Sequence, residues 1–373
     1  MKIINARILD GSFKLRKADI EISDDKKIAQ VADKLAYSES ELVLDCEGYT
    51  VVPGFIDIHI HGCVGRDTCD GSRESIEEMA QYLITKGVTG FCPTTLTVSE
   101  ETIAAALAAA KDCMDNPVEG AAVLGVNMEG PFISKEKKGA QNEAFVRKPD
   151  PELFRKLYEG CGGIVKLVDI APEQEGGLDF VKDIKNICRV SIAHTTADYD
   201  EAKAAFDAGI THATHLFNAM TGLNHRSPGV VGAVFSDKRV MAELICDGHH
   251  VHPSVVKTVF DLMGDRVCVI SDALAISGLP EGTESELGGL PISVKNGTCV
   301  LEDGTIAGSI SNLHEELKNL VSWGVPLEAA VKAMTLNPAK AIGADKETGS
   351  IEPGKRADLV ILDDKLEIVG VYH

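Results

Sequence analysis

The sequence predicts an α/β protein: a (β/α)8 TIM barrel that carries a small β-sandwich built from both ends of the chain. Three observations lead there. Eight apolar β-type runs alternate with helix-like stretches between Pro53-Gly54 and about residue 345, short strands precede them, and strand character returns in the tail.

The first 50 residues contain KIINARILD, ADIEIS, KIAQVA and ELVLDCEGYTVV, separated by glycine and charged turns. The barrel runs follow as FIDIHIHG, VTGFCPTT, AVLGVNMEG, IVKLVDIAPE, VSIAHTT, HATHLFNAM, VMAELICDG and VCVISDA. Between them lie helical stretches at 73–86, 99–115, 151–160, 198–208 and 253–263, several opened by a Ser, Asp or Pro start signal. A Gly- and Thr-rich insertion, 278–308, comes after the eighth run, ahead of helical stretches 311–323 and 326–342. Strands at both ends of a barrel pair most simply with each other. The expected domains are therefore 1–52 with 346–373 as the β-sandwich, and 53–345 as the barrel.

Composition narrows the function. The chain has 373 residues, 44% hydrophobic and 25% charged, which is ordinary for a folded globular protein. Lys and Arg number 37 against 57 Asp and Glu, a formal charge of −20 with no basic run, which argues against nucleic acid and anionic membranes as partners. The opening MKIINARILDGSFK lacks the unbroken apolar segment of a signal peptide, and no run approaches the roughly 18 apolar residues of a membrane span. A cytoplasmic location is expected. Ten scattered cysteines without a CxxC pair read as reduced, mostly buried thiols.

In such a barrel the catalytic groups sit at the C-terminal ends of strands, so a polar residue that closes an apolar run carries information. Run one ends in His59 and His61, whose spacing of two places both imidazoles on one strand face. Runs three, five, six and eight end in Glu129, His194, His215 and Asp272. Any one of these alone reads as a rim residue or a cap. Together, at corresponding strand ends, they are the imidazole and carboxylate set of a catalytic Zn²⁺ or Fe²⁺ site. His212 is offset from His215 by an odd number and reads as structural or exposed, and Cys63 as loop packing. His225 lies in a loop, His314 on a helix and His373 at the end of the chain; among His249, His250 and His252, spacing does not choose which one faces the site.

PGFIDIHIHG, GVNMEGPF, KKGA, APE, AHTTA, THLFNAM, RSPG, CDGHHVHP, SDA and NPAKAIG with GSIEPGKRADLVILD resemble the N-acetylglucosamine-6-phosphate deacetylases of the amidohydrolase superfamily, over nearly the whole chain. The resemblance implies a principal metal on Glu129, His194 and His215, with Asp272 as catalytic acid and base. Some members lack both histidines of HxH and work with one ion. This chain retains His59 and His61, which implies a second ion bridged by Glu129, so the cofactor is one or two divalent ions per subunit, Zn or Fe. By the same resemblance Asn218, Ala219, Arg226 and His250 contact the sugar phosphate, and the assembly is a homodimer. Two positions depart from the family: Gln141 stands where many relatives have a His that hydrogen-bonds the substrate carbonyl, and Asn127 where many have another His. The implied reaction is hydrolysis of the acetamide of N-acetyl-D-glucosamine 6-phosphate to D-glucosamine 6-phosphate and acetate. The alternative is another metal-dependent amidohydrolase of dihydroorotase, deaminase or dipeptidase type.

Overall fold

The computed structural model describes residues 1–373 apart from 281 and 296. The chain ends build the β-sandwich as one continuous sheet. Its order is Ile368–Tyr372, Leu359–Leu362, Thr50–Pro53, Lys2–Leu9, Leu15–Ile22, Ile28–Ala32, with Val43–Asp45 also paired to Lys2–Leu9. At Asn5, with φ 60, the register of the Lys2–Leu9 strand shifts. Its first half pairs with Val43–Asp45 and its second with Thr50 and Val51, which lets the sheet wrap around Ile3, Ile8, Ile20, Val51 and Leu359. Neighbouring residues Val52, Val360 and Leu362 belong instead to the large core of the barrel.

The barrel strands are Phe55–Ile60, Val88–Thr95, Val126–Met128, Val165–Ile170, Arg189–Ile192, His212–Ala213, Met241–Ile245 and Val267–Ile270, each parallel to the next. Ile58, Cys92, Leu167, Ile245, Cys268 and Ile270 come from five of these strands and form one cluster, so they meet in the barrel interior. Helices cover the outside, with start signals where the sequence places them. Ser72 caps Arg73–Thr85, Asp150 and Pro151 open Pro151–Gly160, and Asp198 forms a capping box with Glu201 at Tyr199–Ala208.

Four features differ from the sequence reading. Helices Gly177–Ile184 and Gly229–Ser236 belong to the eightfold pattern but their ranges are not marked in the sequence; neither has a side-chain cap, so they lack the usual start signal. The third run is broken at Gly125 (φ 149), where a Cβ would come within 2.9 Å of the Ile164 carbonyl oxygen. The stretch 326–342 is two helices, Leu327–Met334 and Leu336–Ala341, parted at Thr335. The insertion 278–308 contains a three-stranded antiparallel sheet, Glu284–Leu287, Leu290–Lys295 and Thr298–Leu301, which packs on Leu96 and Leu274 beside the barrel mouth.

The eighth and first strands close the barrel just where the polar residues begin. Asp272 N–H donates to the His59 carbonyl at 2.9 Å, and His61 and Gly62 N–H both donate to the Ala273 carbonyl at 2.9 Å. Ser271 Oγ donates to Asp57 Oδ2 at 2.6 Å. A Cβ on Gly62 would lie 2.2 Å from the Arg66 carbonyl oxygen and 2.9 Å from Ala275 N, both main chain and unable to step aside. Gly62→Ala is expected to destabilise the protein by about 1–3 kcal/mol, the usual cost of overpacking, read as a lowered urea midpoint. An unchanged midpoint would contradict this closure.

Candidate metal centre

His194, His215 and Asp272 follow strands five, six and eight with φ of 42°, 28° and 48°, a left-handed backbone that costs a non-glycine residue about 1–3 kcal/mol. Hydrogen bonds hold each in that shape. Ser134 N–H donates to the His194 carbonyl at 2.9 Å, and Ser309 N–H to the Asp272 carbonyl at 2.7 Å. The His215 N–H donates to Glu243 Oε2 at 3.2 Å. These abrupt turns leave the sheet within one or two residues of the last ladder bond and bring the three side chains together.

They meet around Glu129. Its Oε1 lies 2.9 Å from His215 Nε2, 3.1 Å from His194 Nε2 and 3.5 Å from His59 Nε2, and its Oε2 lies 3.1 Å from His61 Nε2. Asp272 Oδ1 is 3.3 Å from His61 Nε2 and 3.5 Å from His59 Nε2. Two groups of three ligands share Glu129: with His194 and His215 on one side, and with His59 and His61 on the other. All are buried.

The far side of every ring is anchored. His61 Nδ1 meets the Thr94 carbonyl at 3.1 Å, His194 Nδ1 the Lys137 carbonyl at 2.8 Å, and His215 Nδ1 the Asn218 carbonyl at 3.2 Å. His59 Nδ1 meets Glu243 Oε2 at 2.8 Å. A carbonyl only accepts, so those Nδ1 atoms carry the proton, and a neutral ring then turns an Nε2 lone pair toward Glu129. His194 and His215 Nε2 are only 3.1 Å apart, and His59 Nε2 has no hydrogen-bond partner among the described residues. Lone pairs crowded on a carboxylate need a cation between them. Imidazoles and a carboxylate with each ring held from behind by an acceptor are the donors of a divalent metal site, and the residues fit one.

Without a metal ion, the electrostatics place the positive charge on the rings instead. Burial opposes charge on His61, yet Asp272 and Glu129 outweigh it and push its pKa up to about 10. Burial likewise works against charge on Glu129, but the surrounding histidines hold its carboxyl well below the usual carboxylate range. Asp272 follows the same pattern: burial raises it, and the His61 hydrogen bond and the His59 charge lower it more. The centre therefore attracts positive charge and keeps its two carboxylates ionised.

A cavity of about 340 Å³ opens over this cluster, walled by Leu96, Leu274, Leu287 and Ile306 on the side of the insertion. Gln141, Asn218, Ala219 and His250 also face it. Gln141 Oε1 accepts from Thr97 N–H at 2.7 Å, which fixes the amide so that Nε2 donates to Glu129 Oε2. His250 is held by Asp247, Nδ1 to Oδ2 at 2.7 Å; His249 is exposed, and His252 caps Pro253–Met263, so of these three it is His250 that lines the cavity. Arg226 is not among the lining residues and sits on the exposed 222–227 loop.

Asn127 is buried and donates to the Ile58 carbonyl at 3.2 Å. Cys63 packs in the core, and His212 is a buried structural histidine, Nε2 3.2 Å from Glu243 Oε1. Glu243 was missed. Its signal was a lone carboxylate inside the apolar run VMAELICDG, which a strand buried on both faces has no reason to contain unless it is paired.

The Amidohydrolase family matches residues 50–372. The chain is 36% identical over 325 residues to the N-acetylglucosamine-6-phosphate deacetylase of Bacillus subtilis (strain 168), covering 86% of this chain and 82% of that protein. It is 34% identical over 333 residues to the N-acetylgalactosamine-6-phosphate deacetylase of Escherichia coli O157:H7, covering 88% of each. The crystal structure of N-acetylglucosamine-6-phosphate deacetylase from Pasteurella multocida superposes with a TM-score of 0.93 at 30% identity, over 100% of this chain and 97% of that one. A mutant of the Mycobacterium smegmatis enzyme in complex with N-acetyl-D-glucosamine-6-phosphate gives 0.91 at 30% identity, over 100% and 97%. By family match, identity and fold together, the chain belongs to the amidohydrolase family.

Proposed function

We propose that the chain hydrolyses the acetamide of N-acetyl-D-glucosamine 6-phosphate to D-glucosamine 6-phosphate and acetate, in amino-sugar catabolism. The observation that carries this reading is Glu129 with four histidine Nε2 atoms around it and the Asp272 carboxylate 3.3–3.5 Å from two of them. Glu129, His194 and His215 would hold one divalent ion, Zn or Fe, and His59 and His61 a second that shares Glu129. A bound ion lowers the pKa of water toward about 7 and stabilises charge on a carbonyl oxygen.

The remaining work falls to side chains. Asp272 accepts the proton of the attacking water and delivers it to the amide nitrogen as the C–N bond breaks, so the amine leaves neutral and the acyl carbon becomes acetate. Gln141 Nε2 donates to the substrate carbonyl oxygen. His250 reads the sugar phosphate together with Asn218 and Ala219, and Arg226, which lies outside the cavity on the exposed 222–227 loop, is the remaining candidate for phosphate contact, since a guanidinium matches phosphate oxygens. A homodimer is the proposed assembly, as the family resemblance implies. A cytoplasmic location is supported by ten free cysteines, and no helix among the described residues is long and apolar enough to cross a membrane.

The reading is tested by turnover of N-acetylglucosamine 6-phosphate beside N-acetylgalactosamine 6-phosphate, dihydroorotate and a dipeptide. Acetate release fastest from the first is expected; faster turnover of any other replaces it as substrate. Asp272→Asn should lower kcat by roughly 10²–10⁴-fold, the span of general acid–base catalysis, with metal content unchanged. A tenth of wild-type turnover in this variant would remove the residue from its role. In a metal titration of the apo-protein, wild type should take two equivalents and His59→Ala/His61→Ala one, while His194→Ala and His215→Ala should lose the tight equivalent together with activity. One equivalent in both the wild type and the double variant would leave a single ion on Glu129, His194 and His215.

A further inference from the structure

Glu243, in the middle of the seventh barrel strand, is fully buried and takes no part in the proton transfers described above. Its Oε2 accepts from His59 Nδ1 at 2.8 Å and from the His215 N–H at 3.2 Å. Its Oε1 accepts from His212 Nε2 at 3.2 Å, and its carbonyl accepts from Leu216 N–H at 2.9 Å. One residue thus touches a member of each ligand group that shares Glu129. We propose that Glu243 is a positioning residue that determines whether the His59 half of the centre can hold an ion, by fixing His59 with Nδ1 protonated and Nε2 directed at Glu129 and Asp272.

The asymmetry among the four rings supports this. His61, His194 and His215 are each anchored by a main-chain carbonyl, which no side-chain substitution removes. His59 alone leans on a side chain, and its fully buried Nε2 has no hydrogen-bond partner among the described residues. A carboxylate is also a stronger acceptor than a carbonyl, so it shifts electron density through the ring to Nε2 and makes His59 the better ligand. His212 occupies the second oxygen from a buried position, which leaves Glu243 little freedom to rotate away. A purely structural role would stabilise the fold without favouring one half of the centre.

The inference rests on the two-ion reading, and Glu243→Gln separates the two. Glutamine keeps the volume and an oxygen for His59 and His215 while removing the charge. Zn²⁺ titration of the full-length protein against a competing chelator is paired with ¹⁵N-imidazole spectra of the Zn²⁺-loaded protein. In Glu243→Gln the second equivalent should bind about 10–100-fold more weakly and the first within about threefold of wild type, as expected for loss of an outer-shell carboxylate. The His59 Nδ1–H resonance, identified by its absence in His59→Ala, should move in the variant. Wild-type affinity for both ions, or equal weakening of both, overturns the inference. A wild type that takes one equivalent refutes the two-ion reading by itself, and the His59 resonance then decides: unmoved in Glu243→Gln, it overturns the role of Glu243. Should the variant fail to fold, the wild-type spectrum decides alone, since a His59 without an exchange-protected Nδ1–H cannot be held as described.

Discussion

Four imidazole nitrogens face one buried carboxylate, Glu129, and this crowding is the constraint on which the rest of the site depends. With their Nδ1 atoms committed to fixed acceptors, the rings turn lone pairs inward, where Asp272 adds a second negative group. Such an arrangement is repulsive without positive charge at its centre. Protonating the rings would supply charge but would set the 3.1 Å pair of His194 and His215 proton against proton. Divalent cations in the two ligand groups that share Glu129 would satisfy the nitrogens without that clash, which would make an otherwise costly cluster useful to the protein.

The barrel holds this arrangement against its own strain. His194, His215 and Asp272 adopt left-handed backbones, and hydrogen bonds from the Ser134 and Ser309 N–H groups and to the Glu243 carboxylate keep them there. The closure bonds of His59 with Asp272 and of His61 with Ala273 tie strand eight to strand one at the same height. Further out, Glu173 binds Thr195 and Thr196, steadying the turn after His194. The anchors therefore reach the ligands from separate elements, and displacing one ring disturbs its neighbours through Glu129.

Most of this architecture was legible in the chain, for reasons visible in particular segments. Barrel strands are buried on both faces and read as apolar runs, so FIDIHIHG and VCVISDA announce themselves, and the polar residue closing each run marks the mouth. Strand Glu284–Leu287 has no such run and is half exposed, so it passed for loop. Strand six is only His212–Ala213, because the left-handed turn at His215 begins almost at once; its length could not be read from HATHLFNAM. The histidines that converge on Glu129 were readable, but three of their four anchors are the carbonyls of Thr94, Lys137 and Asn218, and a carbonyl leaves no trace in residue identity. Gln141, Asn218, Ala219, Arg226 and His250 came from family resemblance. The fold brings all of these to the cavity except Arg226, whose place is an exposed loop.

The position of a bound cation decides whether Glu129 is the metal-binding carboxylate. Crystals of protein purified without chelator, measured on both sides of the zinc and iron absorption edges, locate and identify any bound ion by its anomalous signal. The predicted result is a peak within ligand distance, about 2.0–2.2 Å, of a Glu129 oxygen and of Nε2 of both His194 and His215. An ion bound elsewhere with none at Glu129, or crystals of fully active protein with no anomalous peak among these residues, would contradict it.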